Sequence, residues 1–183
     1  IFFIFYFDRE NEYRVEAFCC DGAFLEQSSF NGRPVVAFEN IEEEFPPSDY
    51  ALFVALGYHG LNELRRRKFE EGLAKGYTLA SYVSPNISGD FTVGANSLVP
   101  DCVTVQPRVS IGNNVFIWAG AMIGHHAVID DHCWVTGSAN IGGLSRIGEQ
   151  SFLGLNATVG HGVTLGSCCL LGANSLVTKC LQS

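Results

Sequence analysis

The chain has 183 residues, 47% of them hydrophobic and 16% charged, with a net charge of −8. That composition supports a packed core and excludes a disordered segment. The acidic balance argues against nucleic-acid binding, which needs a basic patch to meet phosphates. The apolar stretch Ile1–Phe7 falls far short of the ~20 residues of a membrane span. It also lacks the basic flank and cleavage site of a secretion signal. Seven cysteines, including the neighbours Cys19-Cys20 and Cys168-Cys169, fit thiols held reduced in the cytoplasm better than a disulfide framework. The sole methionine is Met122, so the natural N-terminus is expected upstream of Ile1.

In chain order, Ile1–Phe7 suits a strand or a helix equally. Tyr13–Cys20 reads as a strand ending at the turn pair Asp21-Gly22. A short strand is expected at Val35–Phe38, one helical turn at Asn40–Glu44, and a buried strand at Tyr50–Leu56. Gly57–Gly60 is a loop, Leu61–Lys75 a helix stopped by Gly76, and Tyr77–Val83 another strand. Strands alternating with helices predict a small Rossmann-like α/β domain with a parallel sheet over residues 1–84. No GxGxxG motif is present to mark a nucleotide site. Arg65-Arg66-Arg67-Lys68 reads as a solvated helix face balanced by Glu63, Glu70 and Glu71.

From Ile87 to Val177 an aliphatic residue recurs every six positions without a slip. The second position of the hexad is often Gly, and the fifth is mostly small or β-branched. A period of six matches neither a helix nor plain strand alternation. It suits a short strand and a tight turn, three of which close a triangular coil that stacks on the next. The first and fifth positions then point inward, and the second-position glycines supply turn conformations costly for other residues. Residues 85–183 are therefore expected to form an all-β parallel β-helix. Trp118 and Trp134 point outward in this register, as subunit contacts or walls of an acceptor pocket.

The third hexad position along one edge reads His125, Gly143, His161, Lys179. A neutral imidazole can take a proton from an attacking amine or hydroxyl at neutral pH. A bare peptide N–H in the notch at Gly143 can stabilise a developing oxyanion. This constellation points to acyl transfer. His59, His126 and His132, taken by themselves, fit ordinary surface positions. A metal reading is weaker: His125 and His161 are two coils apart, ~10 Å for regular stacking, too far to share one zinc within a chain.

The block Val115–Lys179 resembles the hexapeptide acetyltransferases that modify sialic acids and nucleotide-linked amino sugars. The resemblance lies in Ile123-Gly-His-His-Ala-Val-Ile-Asp-Asp-His-Cys-Trp-Val, then Asn140-Ile-Gly-Gly and Phe152-Leu-Gly-Leu-Asn-Ala-Thr. Upstream, Val15-Glu-Ala-Phe-Cys-Cys-Asp, Asn31-Gly-Arg-Pro-Val-Val and Phe53-Val-Ala-Leu-Gly-Tyr are similarly placed. The resemblance implies a left-handed coil and a homotrimer with active sites between adjacent β-helices. It implies acetyl-CoA as donor, no metal, and an amino or hydroxyl acceptor on the sugar. It places the general base on His125 and the oxyanion-stabilising amide on Gly143. In some members a carboxylate directly follows the base; here that slot holds His126, leaving Asp130, Asp131 or a neighbouring chain's carboxylate to orient His125. Acceptor binding falls on Asp21, Gly57 and Tyr58, and the coenzyme would pass His161 toward Lys179. Two alternatives stand beside this reading. One is a metal-dependent hydratase like the hexapeptide carbonic anhydrases, whose third histidine position is Gly166 here. The other is a non-catalytic β-helix scaffold.

Overall fold

The computed structural model describes residues 2–10 and 13–182. The chain opens with helix α1 (Phe2–Glu10), which resolves the ambiguity of Ile1–Phe7; Ile1 itself lies outside the described residues. Phe3 and Phe7, four apart, share one helix face. They pack on Phe53 with ring centroids 5.5 and 4.8 Å away, and Phe3 also meets Phe116 at 5.6 Å. An aromatic surface waiting on the rest of the protein decides for helix, because a helix delivers both rings to it.

Strands β1 (Phe18–Cys20) and β3 (Arg33–Ala37) pair in parallel, with β2 (Ser29–Phe30) antiparallel along the edge of β3. A second parallel pair joins β4 (Ala51–Leu52) to β5 (Thr78–Leu79). Helices α2 (Ile41–Glu44) and α3 (Glu63–Ala74) complete this α/β part. Its core holds Val36, Phe38, Ile41, Leu52, Val54, Phe69, Tyr77 and Leu79. The strand expected over Tyr77–Val83 is two strands. Its second half, β6 (Tyr82–Val83), pairs with β8 (Leu98–Val99) in a sheet of the solenoid. The chain thus enters the β-helix at Tyr82, ahead of Pro85.

From there to β21 (Leu176–Val177) the chain winds as a left-handed parallel β-helix with three parallel sheets. The register confirms the eighteen-residue coil: Ile111 pairs with Ile129, Ile117 with Val135, and Ile123 with Ile141. First-position side chains stack into an inner ladder in which Ile117, Ile123, Val135, Ile141 and Leu153 have no exposed surface. Fifth-position residues such as Ala127, Cys133, Ala139 and Ser151 are equally buried. Burial pushes the Cys133 thiol up to about 12, so it acts as a small apolar filler.

One expectation about the turns is corrected. The left-handed backbone falls at the fourth hexad position, where non-glycine residues carry it: Asn114 (φ 56°), His126 (φ 58°), Leu144 (φ 59°). The second-position glycines serve close stacking instead. A Cβ at Gly142 would lie 2.6 Å from the His161 amide nitrogen, and one at Gly154 would lie 2.6 Å from that of Ala173. Backbone from the next coil leaves no room for a side chain.

The basic run is only partly a solvated face. Arg66 and Arg67 pair with Glu70 and Glu71 as expected, but Arg65 has no exposed surface. Its Nε donates to Asn114 Oδ1 (3.0 Å), and its Nη2 donates to the carbonyls of Asn114 (3.1 Å) and Cys133 (3.2 Å). The guanidinium sits 4.5 Å from the Phe116 ring centroid and 5.0 Å from that of Trp134. Burial among carbonyls and aromatic faces holds its pKa down to about 9. Arg65 thereby fastens α3 to the solenoid wall.

Candidate active site

Three corners run the length of the prism, and one carries the residues singled out for acyl transfer. Its successive coils present Gln106-Pro107-Arg108, His125-His126, Gly143-Leu144, His161-Gly162 and Lys179-Cys180. The eighteen-residue register aligns them.

The structure brings His125, Gly143, His126 and His161 together. A Cβ at Gly143 would lie only 2.7 Å from His125 Nε2, so the imidazole rests over the bare α-carbon. The room at position 143 is filled by this ring, where an open notch was expected. His125 Nδ1 lies 3.1 Å from His126 Nδ1, and the two rings meet edge to face. The His161 ring leans up from two coils away to a centroid distance of 5.9 Å. This overturns the spacing argument against a shared metal, because side chains lean where regular coils do not. Among the described residues, however, no group of three or more His, Cys, Asp or Glu side chains is placed to hold an ion.

Gln106, which the sequence reading passed over, accepts the His125 backbone N–H through Oε1 at 2.9 Å. Its signal was available: it stands one coil before Gly124 at the same hexad position. On another corner, third-position amides are taken by the next coil's side chain. Asn113 N–H donates to Asp131 Oδ1 (2.7 Å), and Ala95 N–H to Asn113 Oδ1 (2.9 Å). Gly143 N–H has no such acceptor among the described residues. The Asp residues proposed to orient His125 are engaged elsewhere. Asp130 holds Arg146 in a two-pronged pair at 2.7 and 3.0 Å, and Asp131 holds Asn113.

Further down the corner, His161, Gly162 and Lys179 are exposed, and nothing stands within 4 Å of the Cβ position at Gly162 (φ +67°). The residues are compatible with an extended thiol carrier: a bare amide beside the imidazole, open backbone beyond it, and an ammonium at the far end.

The acceptor candidates lie elsewhere. Asp21 Oδ1 is ion-paired with Lys68 Nζ at 2.6 Å, and Gly57 is open with nothing within 4 Å of a Cβ. Tyr58 packs on Trp134 and Phe152, with ring centroids 5.3 and 4.8 Å apart. It overhangs a groove of ≈ 620 Å³ lined also by Trp118, Thr136, Gly137 and Leu155. That groove belongs to the corner of Ala119, Gly137 and Leu155, a different one from that of His125. Trp134 is 6% exposed, covered by Tyr58, and with Trp118 lines the same groove, as a wall rather than a bare surface. His132, expected at an ordinary surface position, is instead buried beneath Phe69, with its Nδ1 2.8 Å from Asn114 Nδ2.

The comparisons bear on the fold that carries this corner. The family described as hexapeptide repeat of succinyl-transferase matches residues 145–179. No curated protein matches the chain in sequence. Among solved structures, the acetyltransferase domain of PglB from Neisseria gonorrhoeae FA1090 superposes with a TM-score of 0.79 at 26% identity, over 92% of this chain and 81% of that one. Its complex with acetyl coenzyme A gives 0.65 at 26% identity, over 90% and 83%. A variant of perosamine N-acetyltransferase from Caulobacter crescentus, bound to CoA and GDP-perosamine, gives 0.75 at 25% identity, over 85% and 74%.

Proposed function

We propose that this chain, a hexapeptide-repeat acetyltransferase of the sugar-modifying kind that uses acetyl-CoA, acetylates an amino group on a nucleotide-linked amino sugar, with His125 as general base. The observation that carries this reading is the seat of His125 Nε2 directly over Gly143, whose amide is free to donate. Bound acetyl-CoA supplies the acetyl group as an activated thioester. His125 removes the proton that the amine sheds as its bond to the acetyl carbon forms; the carbon–sulfur bond then breaks, and the same proton passes from His125 to the departing CoA thiolate. The Gly143 N–H donates to the acyl oxygen as negative charge grows there. Lys179 meets a phosphate of the carrier, and His161 flanks its path. An amine is favoured over a sialic-acid hydroxyl because one similar structure holds GDP-perosamine and is described as an N-acetyltransferase.

The acceptor is held by the Tyr58 groove with the adjacent Gly57, and Asp21, paired with Lys68, contributes from the α/β part. Because that groove and His125 occupy different corners, one active site takes its base from one subunit and its acceptor pocket from the next. A homotrimer closes such a ring of sites. Seven free cysteines and the use of acetyl-CoA support a cytoplasmic setting, and no helix among the described residues is long and apolar enough to cross a membrane.

The test is CoA release against a panel of nucleotide-linked amino sugars and sialic acids, wild type beside His125→Ala. Loss of the base is expected to lower kcat by roughly 10²–10⁴-fold. A variant retaining most of the wild-type rate ends the assignment.

A further inference from the structure

The corner that carries His125 holds a second imidazole in the place of an orienting carboxylate. We infer that His126 is the positioning residue for the base: its unprotonated Nδ1 accepts the His125 Nδ1–H and so keeps His125 Nε2 free over Gly143. This rests on the reading of His125 as general base.

The two Nδ1 atoms lie 3.1 Å apart. A hydrogen bond there needs one nitrogen protonated and the other bare. Only one of the two assignments leaves His125 Nε2 unprotonated where it rests against Gly143. His125 is then the Nδ1–H tautomer and His126 the Nε2–H tautomer. The left-handed backbone at His126 (φ 58°) turns its side chain back toward its neighbour, and the His126 N–H is tied to the Pro107 carbonyl at 3.1 Å. On the same corner, Arg108 faces Asp90 at 4.0 Å, Leu144 follows in the next coil, and His161 and Lys179 lie beyond. Among the described residues no carboxylate pairs with either ring.

A neutral acceptor differs from a carboxylate in one consequence. A carboxylate beside His125 would favour its imidazolium and raise its pKa. His126 fixes the same tautomer as a neutral acceptor, without that pull.

The experiment uses the full chain labelled with ¹⁵N-histidine, whose imidazole nitrogen shifts and couplings report the tautomer, alongside kcat and KM from CoA release. Wild type is expected to show His125 as Nδ1–H and His126 as Nε2–H. His126→Ala is expected to release His125 into a mixture containing Nε2–H and to lower kcat roughly tenfold to a hundredfold, as for other partners that orient a functional histidine. KM should stay within a factor of two, about 0.4 kcal/mol. His126→Glu should restore the Nδ1–H tautomer and most of kcat, and move the acid limb of kcat/KM to higher pH. If His126→Ala leaves both the His125 tautomer and kcat at wild-type values, the inference is wrong and another group orients the base. If instead His125→Ala stays active while the tautomer shift appears, the positional pairing stands and the reading of the base falls.

Discussion

At the residue scale, the octapeptide His125–His132 shows how one residue type takes different roles by register. His125 and His126 stand on an exposed corner, whereas His132, though also at a corner, is 6% exposed beneath Phe69 and bonded to Asn114. Burial lowers the His132 pKa, with Asp131 and Glu149 pulling weakly the other way. Its folded pKa therefore lies below the unfolded value of about 6.5. Above that pH both states leave it neutral and its contribution is complete. As the pH falls through about 6.5 the unfolded chain takes up a proton that the fold refuses, and stability declines until the folded pKa is reached. Urea unfolding is expected to show the midpoint dropping on acidification below about pH 6.5. In His132→Gln that slope should flatten; an unchanged slope would assign the acid sensitivity to another group.

At the element scale, the solenoid is held by close stacking as much as by its aliphatic ladder. A Cβ at Gly148 would press into the backbone of Gly166 and Ser167, with the Ser167 nitrogen 2.6 Å away. Backbone paired on both sides cannot retreat as a side-chain tip can. Gly148→Ala is accordingly expected to cost about 2 kcal/mol or more. Gly172 has the same hexad position but nothing within 4 Å, so Gly172→Ala should change stability by less than about 0.5 kcal/mol. Thermal or urea unfolding of the pair checks this; equal effects would refute the stacking role. The helix expected over Leu61–Lys75 shows the converse lesson. Leu61 (φ 51°) and Asn62 (φ 67°) are left-handed, so α3 starts at Glu63, while Gly76 (φ +88°) ends it as the sequence indicates. A Gly stop signal is local. The bent entry is set by Arg65, which must reach Asn114 and Cys133 in the solenoid wall.

At the scale of the whole molecule, the proposed base and the aromatic groove sit on different corners of one prism, and this geometry carries a prediction about assembly. His125→Ala removes the proposed base. Gly137→Trp, in the lining of the groove that Tyr58 overhangs, fills the proposed acceptor pocket. Each homogeneous variant is expected to be inactive. After mixing and reassembly, a site formed by His125 from one subunit and an open groove from the next becomes available, and part of the wild-type activity should return. No recovery, with mixed oligomers demonstrated by mass, would place the whole site within one chain.

The six-residue period by itself determined the solenoid, its inward positions, its eighteen-residue register and the alignment of His125 over Gly143. Such a repeat encodes contacts at a fixed separation along the chain, so spacing alone reads them. The helical turn α2, strand β3, the pairing of most acidic and basic residues on α3, and the stop at Gly76 were legible for the same local reason. Only the tertiary structure decided that Arg65 is buried, that Tyr82 joins the solenoid and that Trp134 walls the groove beneath Tyr58. It alone placed the His126 ring against His125 and leaned His161 toward the same spot. Those outcomes depend on side-chain direction and on surfaces brought together from distant parts of the chain, which no periodicity records.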